Sequence, residues 1–253
     1  LHRKMEGDMK SVTVSKTPSG KYFASILCEI EKNIKSKKKG KEIGIDLGLK
    51  SFIVTSSGEN VDAPKYLHKS EEKLIRLQRL LSRKVKGSNR RNKARIKVAC
   101  IHEKISNQRN DFLHKLSRRL VRDNQSIFAE DLNVKGIVAN HCLAKSVADS
   151  GWSEFVRQVK YKSEWNGVYF GQIDRFFPSS KRCNSCGWIN ESLSLKDREW
   201  ACQGCGQVVD RDFNATQNIL QFGKLNMVGR DTPKPKRSGR GGVSMPLVEL
   251  RSP

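Results

Sequence analysis

No apolar run in the 253-residue chain approaches the ~20 residues that a membrane-spanning helix needs, so a protein built on such helices is excluded. The first residues, Leu1-His2-Arg3-Lys4, lack the apolar stretch of a secretory signal peptide, and the expected location is the cytoplasm. Acid is scarce. Against 49 Lys and Arg stand only 26 Asp and Glu, a net charge of +23. A compact chain with that excess repels itself unless a polyanion neutralises it, and nucleic acid is the expected partner. Cysteine is also sparing. There are seven, an odd number, and four fall into two Cys-x-x-Cys pairs, a metal pattern and not a disulfide framework. Cys28, Cys100 and Cys142 lie apart and are expected to be small buried apolar residues.

Residues 10–31 alternate in polarity around Pro18-Ser19-Gly20, which predicts a β-hairpin turning at those three residues. The hairpin follows almost directly on Leu1, so an upstream part is expected to be missing. The polar run 33–41 carries five lysines and is expected to be a solvated, mobile linker. Residues 42–57, EIGIDLGLKSFIVTSS, read as two strands joined at Leu49-Lys50. Ile43, Ile45 and Leu47 point to one face of the first, Gly44 and Asp46 to the other. Gly58-Glu59 makes the next turn.

Between Lys69 and Arg122 the apolar period becomes helical, with a break at Lys86-Gly87-Ser88-Asn89. This stretch holds 18 Lys and Arg against 4 Asp and Glu, so most of the excess charge sits on one helical hairpin. A surface that tracks phosphates accounts for such concentration, and a merely solvated face is the plain alternative. A short strand follows at 126–130, a helix at 151–165, a strand at 167–173 and a helix at about 213–222. From Gly223 the chain is rich in Gly, Pro, Arg and Ser without periodicity, and 223–253 is expected to be a disordered basic tail. No internal repeat is visible.

Cys183-x2-Cys186-x15-Cys202-x2-Cys205 has the spacing of a four-thiolate zinc ribbon, with Gly187 and Gly206 after each pair where the chain must turn. Four protein ligands leave no open position for water, so the expected Zn²⁺ is structural. Nothing nearby supports a redox dithiol or an iron–sulfur cluster.

Three carboxylates stand in apolar settings. Asp46 lies within Gly44-Ile45-Asp46-Leu47-Gly48, Glu130 ends the strand SIFAE, and Asp212 precedes the last helix. A charge in an apolar strand is costly unless it is paired or holds a metal. Three such groups converging could bind two Mg²⁺ or Mn²⁺ ions for phosphodiester hydrolysis. Each also has a plain reading as an edge charge, a strand-end charge or a helix cap, and spacing does not exclude the neighbours Asp131 and Asp210.

Taken together, GIDLGLKSFIVTSSG (44–58), FAEDLNVKG (128–136), FPSSKRCNSCG (177–187) and DRDFNATQNIL (210–220) resemble, in that order, the TnpB/OrfB family. These are transposon-encoded RuvC nucleases, long labelled transposases and related to the type V CRISPR effectors. IHEKISNQRNDFLHKLS (101–117) and the segment around Trp152, Phe155, Lys162 and Trp165 are similar to the family as well, so the resemblance covers roughly 10–222. It implies an α/β chain with a RuvC-like RNase H fold, a mixed sheet flanked by helices, carrying an inserted zinc ribbon and an N-terminal β-hairpin remnant. It implies that Asp46, Glu130 and Asp212 are the catalytic, Mg²⁺-binding residues, and that the substrate is DNA chosen by a guide RNA. The expected organisation is 1–41 for the hairpin and linker and 42–222 for the nuclease domain. Within the latter fall the basic helical hairpin 69–122 and the ribbon 178–209. Departing from the family, the chain has only the end of the usual N-terminal region, and Thr216 replaces a small apolar residue. Two other readings compete: a truncated, inactive zinc-containing DNA- or RNA-binding protein, and a transposase that itself joins strands.

Overall fold

A computed structural model describes residues 7–31, 33–37, 40–194, 196–228 and 248–249; the side chain of Cys142 lies outside the description. The chain order is β1 (Asp8–Lys16), β2 (Tyr22–Glu29), β3 (Lys41–Leu47), β4 (Ser51–Thr55), β5 (Asn60–Asp62), α1 (Tyr66–Ser82), α2 (Asn89–Asp123) and β6 (Asn124–Glu130). There follow α3 (Val134–Ala139), α4 (His141–Ser150), α5 (Trp152–Asn166), β7 (Tyr169–Ile173), β8 (Glu199–Ala201), β9 (Val208–Asp210), α6 (Arg211–Val228) and β10 (Val248–Glu249).

These elements form two compact units, and the division differs from the expected one. The first unit takes the described residues up to 33, residues 66–108 and β10; the second takes 34–65 and 109–228. The basic helical hairpin thus belongs mainly with the N-terminal strands, and only the last part of α2 joins the sheet domain.

In the first unit, β1 and β2 pair antiparallel, and the Gly20 N–H donates to the Thr17 carbonyl at 2.9 Å, closing the turn where it was expected. β10 adds antiparallel to β2 at Ala24 and Phe23, so Val248 and Glu249 are in a strand and not in a disordered tail. The break between α1 and α2 is capped from both sides. Ser88 Oγ accepts the Arg91 N–H, and the Arg91 guanidinium donates to the Leu81 carbonyl in the last turn of α1 (3.1 Å) and to the Lys84 carbonyl just past it (3.0 Å).

The second unit is built on a five-stranded mixed sheet in the order β5-β4-β3-β6-β7. β3, β4 and β5 are antiparallel neighbours, whereas β3, β6 and β7 run parallel. Alternation along the strands divides the core into two layers. Ile43, Ile45, Leu47, Ile127 and Ala129 face one way, against Leu113, Leu116 and Leu120 of α2 and Phe155 and Val159 of α5. Phe128 and Ile173 face the other way, against Ile219 of α6.

Three local readings are corrected here. Lys37, in the run expected to be mobile, donates its Nζ to the carbonyls of Val121, Arg122 and Asn124 and so caps the end of α2. The last helix, α6, runs on to Val228, past the expected tail start at 223; residues 229–247 and 250–253 lie outside the described residues. Of the scattered cysteines, Cys28 is buried but Cys100 is exposed, so the expectation fails for the latter.

Candidate active site and metal centre

The strand register places the first two carboxylates. β3 pairs with β6 through Gly44↔Phe128 and Ile45↔Ala129 in parallel. The next step along both strands brings Asp46 beside Glu130, about one strand spacing of ~4.8 Å away. Both belong to the even-numbered layer, the one α6 covers. A methyl group at Gly44 would run into the Thr216 carbonyl and would lie 2.8 Å from the Leu220 N, so the backbone of α6 sits directly on that glycine. Gly223 in turn lies against the ring of Phe128, leaving no room for a Cβ. The Gln217 side chain donates to the Ser56 carbonyl at 2.7 Å, and the Ser56 N–H donates to the Gly44 carbonyl at 2.9 Å. These contacts fix the start of α6, with Asp212 in its first turn, over the end of β3 that carries Asp46.

The two strand carboxyls both sit where the charged form is disfavoured. The Asp46 carboxyl is pushed up to about 7, first by burial and then by the negative charges of Glu130 and Asp212; the Leu47 backbone N–H and Arg211 pull the other way. Glu130 is likewise pushed up to about 7, by burial and by Asp131. A pair of carboxyls raised this far is a poor arrangement for a bare protein and a good one for binding cations.

The two neighbouring acids have other work. Asp210 accepts the Phe213 N–H at 2.7 Å, so it caps α6, and Asp212 is free of the capping role considered for it. Asp131 pairs with Arg175. Asp212 is itself partnered by Arg198 at 3.4 Å, a residue that no sequence pattern singled out. The contact arises because β8 and β9 fold back together, pairing Glu199 with Asp210. Arg198, Asp212, Lys50, Asn60 and the exposed Phe213 line a cleft of about 230 Å³ beside the carboxylates.

The cysteine module is two copies of one knuckle. In the first, the Cys183 N–H donates to the Trp188 carbonyl (2.7 Å) and the Gly187 N–H to the Cys183 carbonyl (2.9 Å). In the second, the Cys202 N–H donates to Gln207 (2.8 Å) and the Gly206 N–H to Cys202 (2.7 Å). Gly187 and Gly206 have φ of +82° and +73°, a region that side chains disfavour, which is why each pair is followed by glycine. The four sulfurs lie within 4.8 Å of one another, with Cys183–Cys205 at 3.8 Å and Cys186–Cys202 at 3.5 Å. A tetrahedron of ~2.3 Å metal–sulfur bonds has edges of about 3.8 Å, so the cluster could hold a metal ion such as zinc. Among the described residues no other group of acids, cysteines or histidines closes as tightly. Among the described residues Asp46, Glu130 and Asp212 do not close into such a group.

Known proteins resemble this chain over most of its length. Residues 25–141 match the family model OrfB_IS605, described as "Probable transposase", and residues 152–219 match the Cas12f1-like TNB domain. The chain belongs to the TnpB/OrfB family. It is 43% identical over 235 residues to a Streptomyces pristinaespiralis protein named "Putative RNA-guided DNA endonuclease", covering 92% of this chain and 58% of that one. It is 34% identical over 238 residues to InsQ of Escherichia coli K12, which bears the same description, covering 87% and 58%. Cas12f1 of Sulfoacidibacillus thermotolerans, a CRISPR-associated endodeoxyribonuclease, is 26% identical over 219 residues, covering 79% and 50%. A cryo-electron microscopy structure of a Cas12f1–sgRNA–target DNA complex superposes with a TM-score of 0.51 at 15% identity. It covers 79% of this chain and 58% of that one and shows a shared fold. The chain therefore spans half to a little over half the length of these curated relatives.

Proposed function

We propose that this TnpB/OrfB chain is the catalytic part of an RNA-guided DNA endonuclease with a RuvC-like RNase H fold, in which Asp46, Glu130 and Asp212 bind Mg²⁺ or Mn²⁺. The observation that carries the reading is the register of β3 on β6. It seats Asp46 beside Glu130 on the face where α6 begins with Asp212, and burial and mutual charge raise Asp46 as a cation-binding set would. The mixed sheet flanked by helices is the arrangement this fold consists of.

Bound there, divalent ions would supply Lewis acidity at the scissile phosphate and a more acidic attacking water. The protein's part is to hold three hard oxygen ligands in a fixed frame: two on adjacent strands, one on a helix locked to them by Gly44. Lys50 and Arg198, lining the adjoining cleft, provide positive charge for the phosphates of an incoming strand. In the ribbon, Cys183, Cys186, Cys202 and Cys205 hold a structural Zn²⁺. The exposed lysines and arginines of α1 and α2 take the sugar–phosphate backbone of the guide and its target.

The test is cleavage of end-labelled single-stranded DNA, and of a guide-matched duplex, with Mg²⁺ by the purified chain and by Asp46→Ala, Glu130→Ala and Asp212→Ala. The expected result is cutting by the parent and a loss of at least about 10³-fold in each variant with zinc content unchanged. Cutting by a variant at the parental rate removes that residue from the site. A parent that binds nucleic acid but never cuts, with guide and metal supplied, refutes the nuclease reading in favour of a binding module.

A further inference from the structure

α6 carries two stripes with different partners. Thr216 and Leu220 lie on Gly44 of β3, and Asp212, one turn before Thr216, continues that stripe toward Asp46. Asn214 and Asn218, also one turn apart, form the second stripe and are buried, 3% and 1% exposed. Their partners all lie in the chain just before and within the first cysteine knuckle. Asn214 Oδ1 accepts the Asn184 N–H at 2.9 Å, and Asn214 Nδ2 donates to the Arg182 carbonyl at 2.7 Å. Asn218 Nδ2 donates to the carbonyls of Ser179 (2.8 Å) and Arg182 (2.6 Å). The chain flanking the second knuckle also meets this helix, because β9 runs directly into α6 and the Arg211 N–H donates to the carbonyl of Arg198, just before β8, at 2.7 Å.

We propose that Asn214 and Asn218 are positioning residues that use the metal-filled cysteine ribbon to set where Asp212 stands, so that occupancy of the thiolate site and affinity of the carboxylate site are linked. The inference rests on the reading of Asp212 as a ligand to the catalytic cation. A buried asparagine exchanging bonds with backbone groups fixes its partner in orientation as well as distance. The Asn184 N–H and Arg182 carbonyl flank Cys183, so the geometry of that knuckle is transmitted to the helix within two residues of Asp212. Besides the clamp, the first turn of α6 is held on the ribbon side by its covalent link to β9, the Arg211–Arg198 backbone bond, the Arg211 guanidinium on the Ser194 carbonyl and the Arg198 ion pair. Outer partners of a metal site that orient its ligands change affinity by about 10–100-fold when removed.

The experiment measures Mn²⁺ affinity of the full chain by electron paramagnetic resonance, with Co²⁺ in the cysteine site so that the thiolate-to-cobalt absorption reports the ribbon. Four proteins are compared: parent, Asn214→Ala, Asn218→Ala and Asp212→Asn. The two Asn→Ala variants are expected to keep the cobalt–thiolate bands and the circular dichroism of the parent. They should bind Mn²⁺ about 10-fold or more weakly, with hydrogen exchange at 211–213 accelerated. High Mn²⁺ should restore their cleavage but not that of Asp212→Asn, a rescue that a folding defect would not show. Mn²⁺ affinity within twofold of the parent in both Asn→Ala variants, while Asp212→Asn weakens it, overturns the clamp and leaves the site assignment standing. Parental Mn²⁺ affinity in Asp212→Asn overturns the site assignment, and the clamp with it. If one variant loses the cobalt bands, the other, which removes a different pair of bonds, decides.

Discussion

Replacing Asp46 by Asn should make the Mg²⁺-free protein more stable at pH 8, because the site holds negative charge where the fold least favours it. In the folded chain the Asp46 carboxyl is raised from 3.8 to about 7 by burial and by Glu130 and Asp212. The folded state therefore keeps a proton that the unfolded chain has released. Stability from this group is fully present below about pH 4 and is lost as pH rises through about 7. Converted in full, the penalty at pH 8 is about 4 kcal/mol. Water reaching the partly exposed carboxyl screens the charge, and halving the figure leaves ~2 kcal/mol for Asp46→Asn to recover. Near pH 5, where the folded carboxyl is already neutral, the same reasoning leaves under ~1 kcal/mol. Urea unfolding followed by Trp fluorescence, without chelator so that the cysteine site stays filled, measures both. Mg²⁺ must then close most of the gap. At roughly ten times its dissociation constant it stabilises the parent by about 1.4 kcal/mol and leaves Asp46→Asn nearly unmoved. An Asn variant no more stable than the parent at pH 8, or a gap that fails to widen between pH 5 and 8, refutes the claim that Asp46 is held against its preference.

Three further outcomes follow from the contacts. Gly44→Ala pushes Thr216 and Leu220 off β3, so thermal unfolding should show a loss of roughly 1–3 kcal/mol, and Mg²⁺-dependent cleavage should fall with it. Cys202→Ser breaks the four-thiolate set; metal analysis should find less than one zinc per chain, and limited proteolysis should cut within 183–205 where the parent resists. Arg90, Lys93 and Lys97 stand exposed on α2, and their joint replacement by Ala should weaken nucleic-acid binding at low salt. It should also flatten the salt dependence by about 2–3 in log–log slope; an unchanged slope places the phosphate contacts elsewhere.

How much of this was readable in advance depended on the range of the interaction. The turn at 17–21, the paired strands at 42–57 and the helix break before Asn89 rest on local pattern, and they appear where expected. α3 did not: VKGIVA holds a glycine and three β-branched residues, poor helix formers, and its first turn is capped by Asn133 accepting the Gly136 N–H. β5, β8 and β9 have three residues each, too few to alternate visibly. Lys37 looked like one lysine among five, because the α2 carbonyls it caps lie more than 80 positions away. For the candidate site, residue types were legible and relations were not. Nothing local says that Asp46 comes to rest beside Glu130, that Asp210 is the cap, or that Arg198 reaches Asp212.

Once the register is known, the glycine and the aspartate of Gly44-Ile45-Asp46 become parts of one device. They lie two residues apart on the same face of β3. The missing side chain at Gly44 lets the backbone of α6 touch the strand. A helix standing off by even one methyl layer would carry Asp212 away from Asp46 and Glu130. The atoms that a methyl at Gly44 would meet are the Thr216 carbonyl and the Leu220 N and Cβ, all of which alanine at 220 would keep, so Leu220→Ala should not recover the Mg²⁺ affinity of Gly44→Ala. Parental Mg²⁺ affinity in Gly44→Ala with Leu220→Ala would show that the helix is placed by the Leu220 side chain and not by this backbone contact.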